Sequence, residues 1–154
     1  SRKVLESVKD KIDIKDRRSV LCYKASDLML DSTSGSWPEE IEFDDDLIRW
    51  NLGIGEFLYT TIYLEWKSYL YIARANLSAA QSAIHKISDI GETYNNELAK
   101  VVKFVCNTHL LLKFRKIQDT VVEVDKGIKF TSKSGLKVWL INLYSVKAIG
   151  RAHV

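Results

Sequence analysis

The chain has 154 residues, 46% hydrophobic and 28% charged, with 23 Lys and Arg against 20 Asp and Glu and a formal net charge of +3. That is enough chain to bury about two-thirds of its unfolded surface, and the hydrophobic content excludes a disordered charged tail. Only two cysteines occur, Cys22 and Cys106, each among apolar neighbours. They exclude a disulfide scaffold and predict free thiols in an intracellular, cytoplasmic setting.

The charged start, Ser1-Arg2-Lys3-Val4-Leu5-Glu6, reads as no secretory leader. The uncharged stretches 104–112 and 138–146 fall well short of the roughly 20 residues a membrane-spanning helix needs, so no membrane insertion is expected. One proline and seven glycines predict long helices.

In chain order, Val4, Val8 and Ile12 form a narrow apolar stripe on a first short helix, and Asp16 is placed to cap a second one carrying Val20, Leu21, Leu28 and Met29. These N-terminal helices fill 1–30. Residues 31–46 read as an acidic loop: Gly35 and the single proline, Pro38, precede Glu39, Glu40, Glu42, Asp44, Asp45 and Asp46. The three aspartates sit where carboxylates complement the positive end of a helix dipole.

Residues 47–118 predict a long antiparallel helical hairpin. After Gly53 and Gly55, positions 56–90 contain no proline or glycine; as one helix they would be about 50 Å long. Tyr59, Trp66, Ala73, Ala80 and Ile87 recur every seven residues, as do Ile62, Tyr69, Asn76, Ala83 and Ile90, the a/d pattern of a packed seam. Tyr59, Trp66, Tyr69 and Asn76 are therefore the candidate interface residues, with Asn76 setting the register. A second helix from Tyr94 to Gln118 completes the hairpin.

From 120 to 146 the texture becomes β-branched and alternating, with glycine-containing segments at 125–127 and 133–135. This predicts a three-stranded β meander, the alternative being a helix ending at Gly127 followed by a buried helix over 136–149. The expected fold is thus a single domain over 1–154, mainly α (α+β): short N-terminal helices, a long helical hairpin and a small C-terminal meander.

Charge is segregated. Residues 1–24 carry +4, residues 25–48 carry −8, residues 49–99 carry −1 and residues 100–154 carry +8. The C-terminal block supplies candidate nucleic-acid-binding residues Lys113, Arg115, Lys116, Lys126, Lys129, Lys133 and Lys137. Lysine dominates arginine there, which fits sequence-independent phosphate contact better than base reading. Head-to-tail pairing of the acidic block with the basic block of a neighbour is the corresponding route to self-association.

No residue set marks an enzyme. His85, His109 and His153 are scattered, without metal-ligand spacing. Cys106 and His109 lie one helical turn apart, but in so apolar a segment they read as a buried thiol and its neighbour. Pro38-Glu39 with Glu65-Trp66-Lys67 resembles the Pro-acid, acid-x-Lys pattern of metal-dependent nucleases, yet places its second element in a helix instead of on a strand. Neither a catalytic residue, a metal site nor a cofactor is expected. The functional expectation is a non-enzymatic, self-associating structural or accessory protein whose Lys-rich third contacts nucleic acid backbone, the alternative being a protein-only adaptor or scaffold.

Overall fold

The computed structural model describes residues 2–35 and 43–152. Trp37, Pro38, Glu39, Glu40, Glu42 and His153 lie outside the described residues. The elements are α1 (Arg2–Lys9), α2 (Arg17–Ser34), α3 (Asp45–Gly53), α4 (Phe57–Ala73), α5 (Leu77–Thr93), α6 (Glu97–Lys113), α7 (Ile117–Ser134), a 3₁₀ turn (Lys137–Trp139) and α8 (Leu140–Ala152). Among the described residues there is no strand.

Helices α2 and α4 to α7 share one length, 17 or 18 residues. Helices start at positions 17, 57, 77, 97 and 117, and the 3₁₀ turn at 137. Every described residue with clearly positive φ falls on the same 20-residue grid: Gly35, Gly55, Ala75, Asn95, Arg115 and Gly135. At Gly55, Ala75, Asn95 and Arg115 the chain enters the left-handed region between one helix and the next, which starts two residues later. The Glu56 N–H donates to the Asn51 carbonyl at 2.8 Å, Asn76 to Tyr71 at 2.9 Å and Lys116 to Leu111 at 2.9 Å, the same closing bond at three corners. Caps support the starts: Asp16, Asp44, Glu56, Asn76 and Asn96 each accept from a backbone N–H in the turn they open.

Successive helices reverse direction and pack in two layers. In the inner layer α2, α4, α6 and α8 pack side by side, while in the outer layer the backbone of α5 packs against neither α3 nor α7 among the described residues, α3 and α5 being joined only through side chains such as Lys86 and Asp45. Each helix thus rests on near neighbours in the sequence, the arrangement of helical repeat arrays. Leu21, Leu64, Leu70, Ile87, Val102 and Cys106 lie fully buried between the layers.

Three expectations are corrected. The helical hairpin over 47–118 is four helices, because the run 56–90 breaks at 74–76, where Ala75 takes φ 57°. The sevenfold pattern spans two different faces: Tyr59, Ile62, Trp66 and Tyr69 are half-buried and Ala73 is exposed on α4, whereas Ala80, Ala83, Ile87 and Ile90 are the buried stripe of α5. Asn76 accordingly caps α5, accepting from the Ala79 N–H at 3.1 Å, and does not sit in a seam.

The β meander over 120–146 is replaced by α7, the 3₁₀ turn and the start of α8. The β-branched Thr120, Val124 and Thr131 supply the buried stripe of a helix held between α6 and α8, so tertiary packing overrides local preference. Gly127 is no turn. A Cβ there would stand 3.0 Å from the Phe104 Cβ and 3.2 Å from Leu143, so this glycine lets three helices approach closely. The alternative of a C-terminal helix is nearer the structure, but α7 runs through Gly127 without stopping.

Candidate interaction surfaces

The described acids of the acidic block are paired within the chain. Asp44 caps α3 by accepting from the Leu47 N–H at 3.1 Å and pairs with Lys24 at 2.5 Å, which holds its carboxyl below the usual range. Asp45 pairs with Lys86 at 2.8 Å, Asp46 with Arg49 at 3.2 Å, and Asp27 and Asp31 both with Arg2. The five described acids of residues 25–48 therefore have cationic partners at home.

The basic block differs. Lys113, Arg115, Lys116, Lys126, Lys129, Lys133 and Lys137 are all exposed. Only Lys126 has an acidic partner among the described residues, Glu123 at 3.8 Å. At 100° per residue, Lys126, Lys129 and Lys133 fall on one face of α7, opposite its buried stripe Thr120, Val124, Gly127 and Thr131. Lys113, Arg115 and Lys116 gather at the turn that enters α7, and Lys137 lies just beyond its other end. The helix between them is about 27 Å long. The fold thus lines these residues along and around one helix, which a sheet face would not have done.

Tyr59, Trp66 and Tyr69 belong to the accessible stripe of α4, together with Ile62 and the exposed Leu58 and Ala73. This stripe carries no charge. Trp66 meets Tyr69 edge-on at 5.4 Å, and Tyr69 meets His109 of α6 at 5.3 Å.

Beneath the stripe lies a polar cluster that sequence reasoning missed. Glu65 is 6% exposed, and burial pushes its carboxyl up to about 7. Tyr69 Oη donates to Glu65 Oε1 at 3.1 Å, and the Trp139 indole donates to the same carboxyl, tying α4 to the 3₁₀ turn. Cys106 is buried beside them, and burial raises its thiol, so it lacks the thiolate that nucleophilic chemistry needs. Burial likewise lowers the basicity of His109. Cys106 and His109 are therefore both held neutral. Glu65 and Lys67 leave α4 about 200° apart and do not converge as the nuclease-like pattern requires: Lys67 stacks over Tyr63 at 5.4 Å and Phe43 at 5.9 Å. Among the described residues no three His, Cys, Asp or Glu side chains gather as a metal site would need. The sequence signal for Glu65 was a lone carboxylate in an otherwise apolar helical run.

A groove of about 560 Å³ runs between α5 and α6 and ends at Phe114 and Lys116 of the turn that enters α7. Among the described residues no helix is long and apolar enough to cross a membrane. No family model, curated protein or solved structure matches the chain.

Proposed function

We propose that this chain is a non-enzymatic accessory module, a two-layer helical array that contacts the phosphate backbone of nucleic acid through the solvent face of α7. The observation that supports the reading is the asymmetry of ion pairing. The described acids of the −8 block are all paired within the chain, whereas six of the seven candidate cations have no acidic partner among the described residues. Clustered free cations act as phosphate counterions, and the affinity they supply comes from release of condensed salt. Spacing along one helix fixes a line of charge but reads no base edges, so the binding is sequence-independent.

Binding of the full chain to a fluorescent duplex, followed by anisotropy, tests this. Affinity should fall steeply with added salt and vanish when Lys129, Lys133 and Lys137 are together changed to Glu. Binding that is absent at low salt, or indifferent to those changes, refutes the reading.

A second reading, a protein-only scaffold, is favoured by the accessible stripe of α4. An uncharged face of Leu58, Ile62, Trp66 and Tyr69 is the composition of an interface core. Self-association through it would appear as a concentration-dependent mass in light scattering, abolished by Trp66→Lys.

A further inference from the structure

Helix α8 is the outermost helix of the inner layer. Its buried stripe, Leu143, Val146 and Gly150, faces α6 and α7, and among the described residues no helix lies against its opposite side. At 100° per residue that opposite side is formed by Ile141, Tyr144, Ser145, Ala148 and Ala152. All five are exposed, Ile141 at 69% and Tyr144 at 53%. The solvent face of α7 carries Lys126, Lys129 and Lys133, whereas this one carries no charge. The Ser145 hydroxyl donates to the Ile141 carbonyl at 2.9 Å, so it is satisfied within the helix and can be covered without loss. An outermost helix of a repeat array ordinarily turns a polar face to solvent, and an exposed apolar face marks a contact surface. At the other end of the layer α2 is covered by α1, where Arg2 holds Asp27 and Asp31.

We propose that this face binds a second copy of the chain, the two α8 helices packing antiparallel about a two-fold axis that passes between Tyr144 and Ser145. Side-chain size makes the stripe complementary to itself. With the axis there, Ile141 meets the partner's Ala148 and Tyr144 meets the partner's Ser145, so each large side chain lies over a small one. The spacing of four, three and four residues along Ile141, Ser145, Ala148 and Ala152 is that of a helix seam. Charge agrees with this register. Residues 137–152 hold three cations and no acid. Lys137, Lys147 and Arg151 come opposite the partner's Ala152, the partner's Asn142 and the partner's Val138, so no two cations are opposed, and Lys147 is already held by Asp125. The pairing carries the side-by-side packing of α2, α4, α6 and α8 on into the second copy. The seam uses none of the α7 lysines assigned above to nucleic acid. It is about 17 Å long and has five residues a side against the roughly 20 to 30 of a standard complex, so the dimer forms at high protein concentration.

Sedimentation equilibrium of the full chain from about 5 µM to about 500 µM should show the mass rising toward that of two chains and no further. Ile141→Glu should hold it at one chain throughout, with the circular dichroism of the parent because the position is on the surface. Trp66→Lys should leave the dimer unchanged, which separates this face from the stripe of α4. Added salt should strengthen the dimer by screening the cations around the seam, whereas it weakens duplex binding by α7, so the two can fail independently. The register has its own test. In a Cys22→Ser background, a short thiol cross-linker should join an Ile141→Cys chain to an Ala148→Cys chain about tenfold faster than it joins either to itself, because the seam raises their effective concentration. A mass that stays at one chain, or one that climbs past two as head-to-tail assembly requires, overturns the proposal. So does association that survives Ile141→Glu or is lost with Trp66→Lys, and so does cross-linking with no preference for the mixed pair.

Discussion

Helices α4 and α7 are nearly the same length and each is followed by a residue in the left-handed region, Ala75 and Gly135, yet they are different objects. Ten of the 17 residues of α4 are buried, including Thr60, Thr61, Glu65, Lys67 and Ser68; in α7 four of 18 are buried, all on one stripe. The difference is the layer. An inner helix is flanked on both sides and from below, so its polar residues are enclosed and must find partners within the protein. An outer helix meets the protein along one face and leaves the other to solvent, where α7 carries its lysines. The inner layer thus supplies stability and the outer layer supplies surface.

The contrast is broken most severely by cavity formation. Leu64 is fully buried in α4, and Leu64→Ala should destabilise the chain by about 3 kcal/mol. Val122 is 55% exposed on α7, and Val122→Ala should change stability by less than about 0.5 kcal/mol. Urea unfolding of the two variants measures the ratio directly; comparable losses would mean that α7 is enclosed like α4.

The enclosed carboxyl of Glu65 gives the next largest effect. Its folded value of about 7 lies above the ordinary carboxyl value of 4.5, so the fold favours the protonated acid. Below pH 4.5 both states are protonated and the stabilisation is complete. As pH rises from 4.5 to 7 the unfolded chain ionises first, and about 3 kcal/mol is lost. His109, whose value burial lowers, works in the opposite sense: its contribution is present above the ordinary imidazole value and falls away in acid. The difference between parent and Glu65→Gln therefore isolates the carboxyl. The variant should lack the decline across that window, and identical pH profiles in chemical denaturation would show that Glu65 is solvated.

What the sequence made legible follows the same division. Composition pointed to helices, and the capping roles of Asp16 and Asp44 were readable because a short acid before an apolar run has one favoured use. The outer face of α7 was foreseen as exposed lysines, although on strands, because a solvent face is polar in either structure. The inner layer defeated periodicity. A helix buried on several sides has no single apolar stripe, so the sevens running through α4 and α5 joined an accessible face to a buried one. The 20-residue grid was hidden for another reason: Gly55, Ala75, Asn95 and Arg115 share a backbone conformation but no side chain. One local signal did repeat, Asn76 and Asn96 each capping the N–H of an alanine three residues on.

That grid yields the smallest effect. Arg115 holds φ 56°, a conformation costing an L-residue with a Cβ about 1 kcal/mol, whereas Gly35, Gly55 and Gly135 hold it without that cost. The Arg115 side chain is exposed and makes no ion pair among the described residues, so glycine there relieves backbone strain and removes little else. Against this, glycine adds freedom to the unfolded chain, which offsets part of the gain. Arg115→Gly should therefore raise stability by about 0.5 kcal/mol, and the same substitution at Arg74, one step before the corner at Ala75 and at φ −80°, should lower it. A thermal melt showing both variants destabilised alike would mean that position 115 does not turn through the left-handed region, and the common corner joining the two layers would be lost with it.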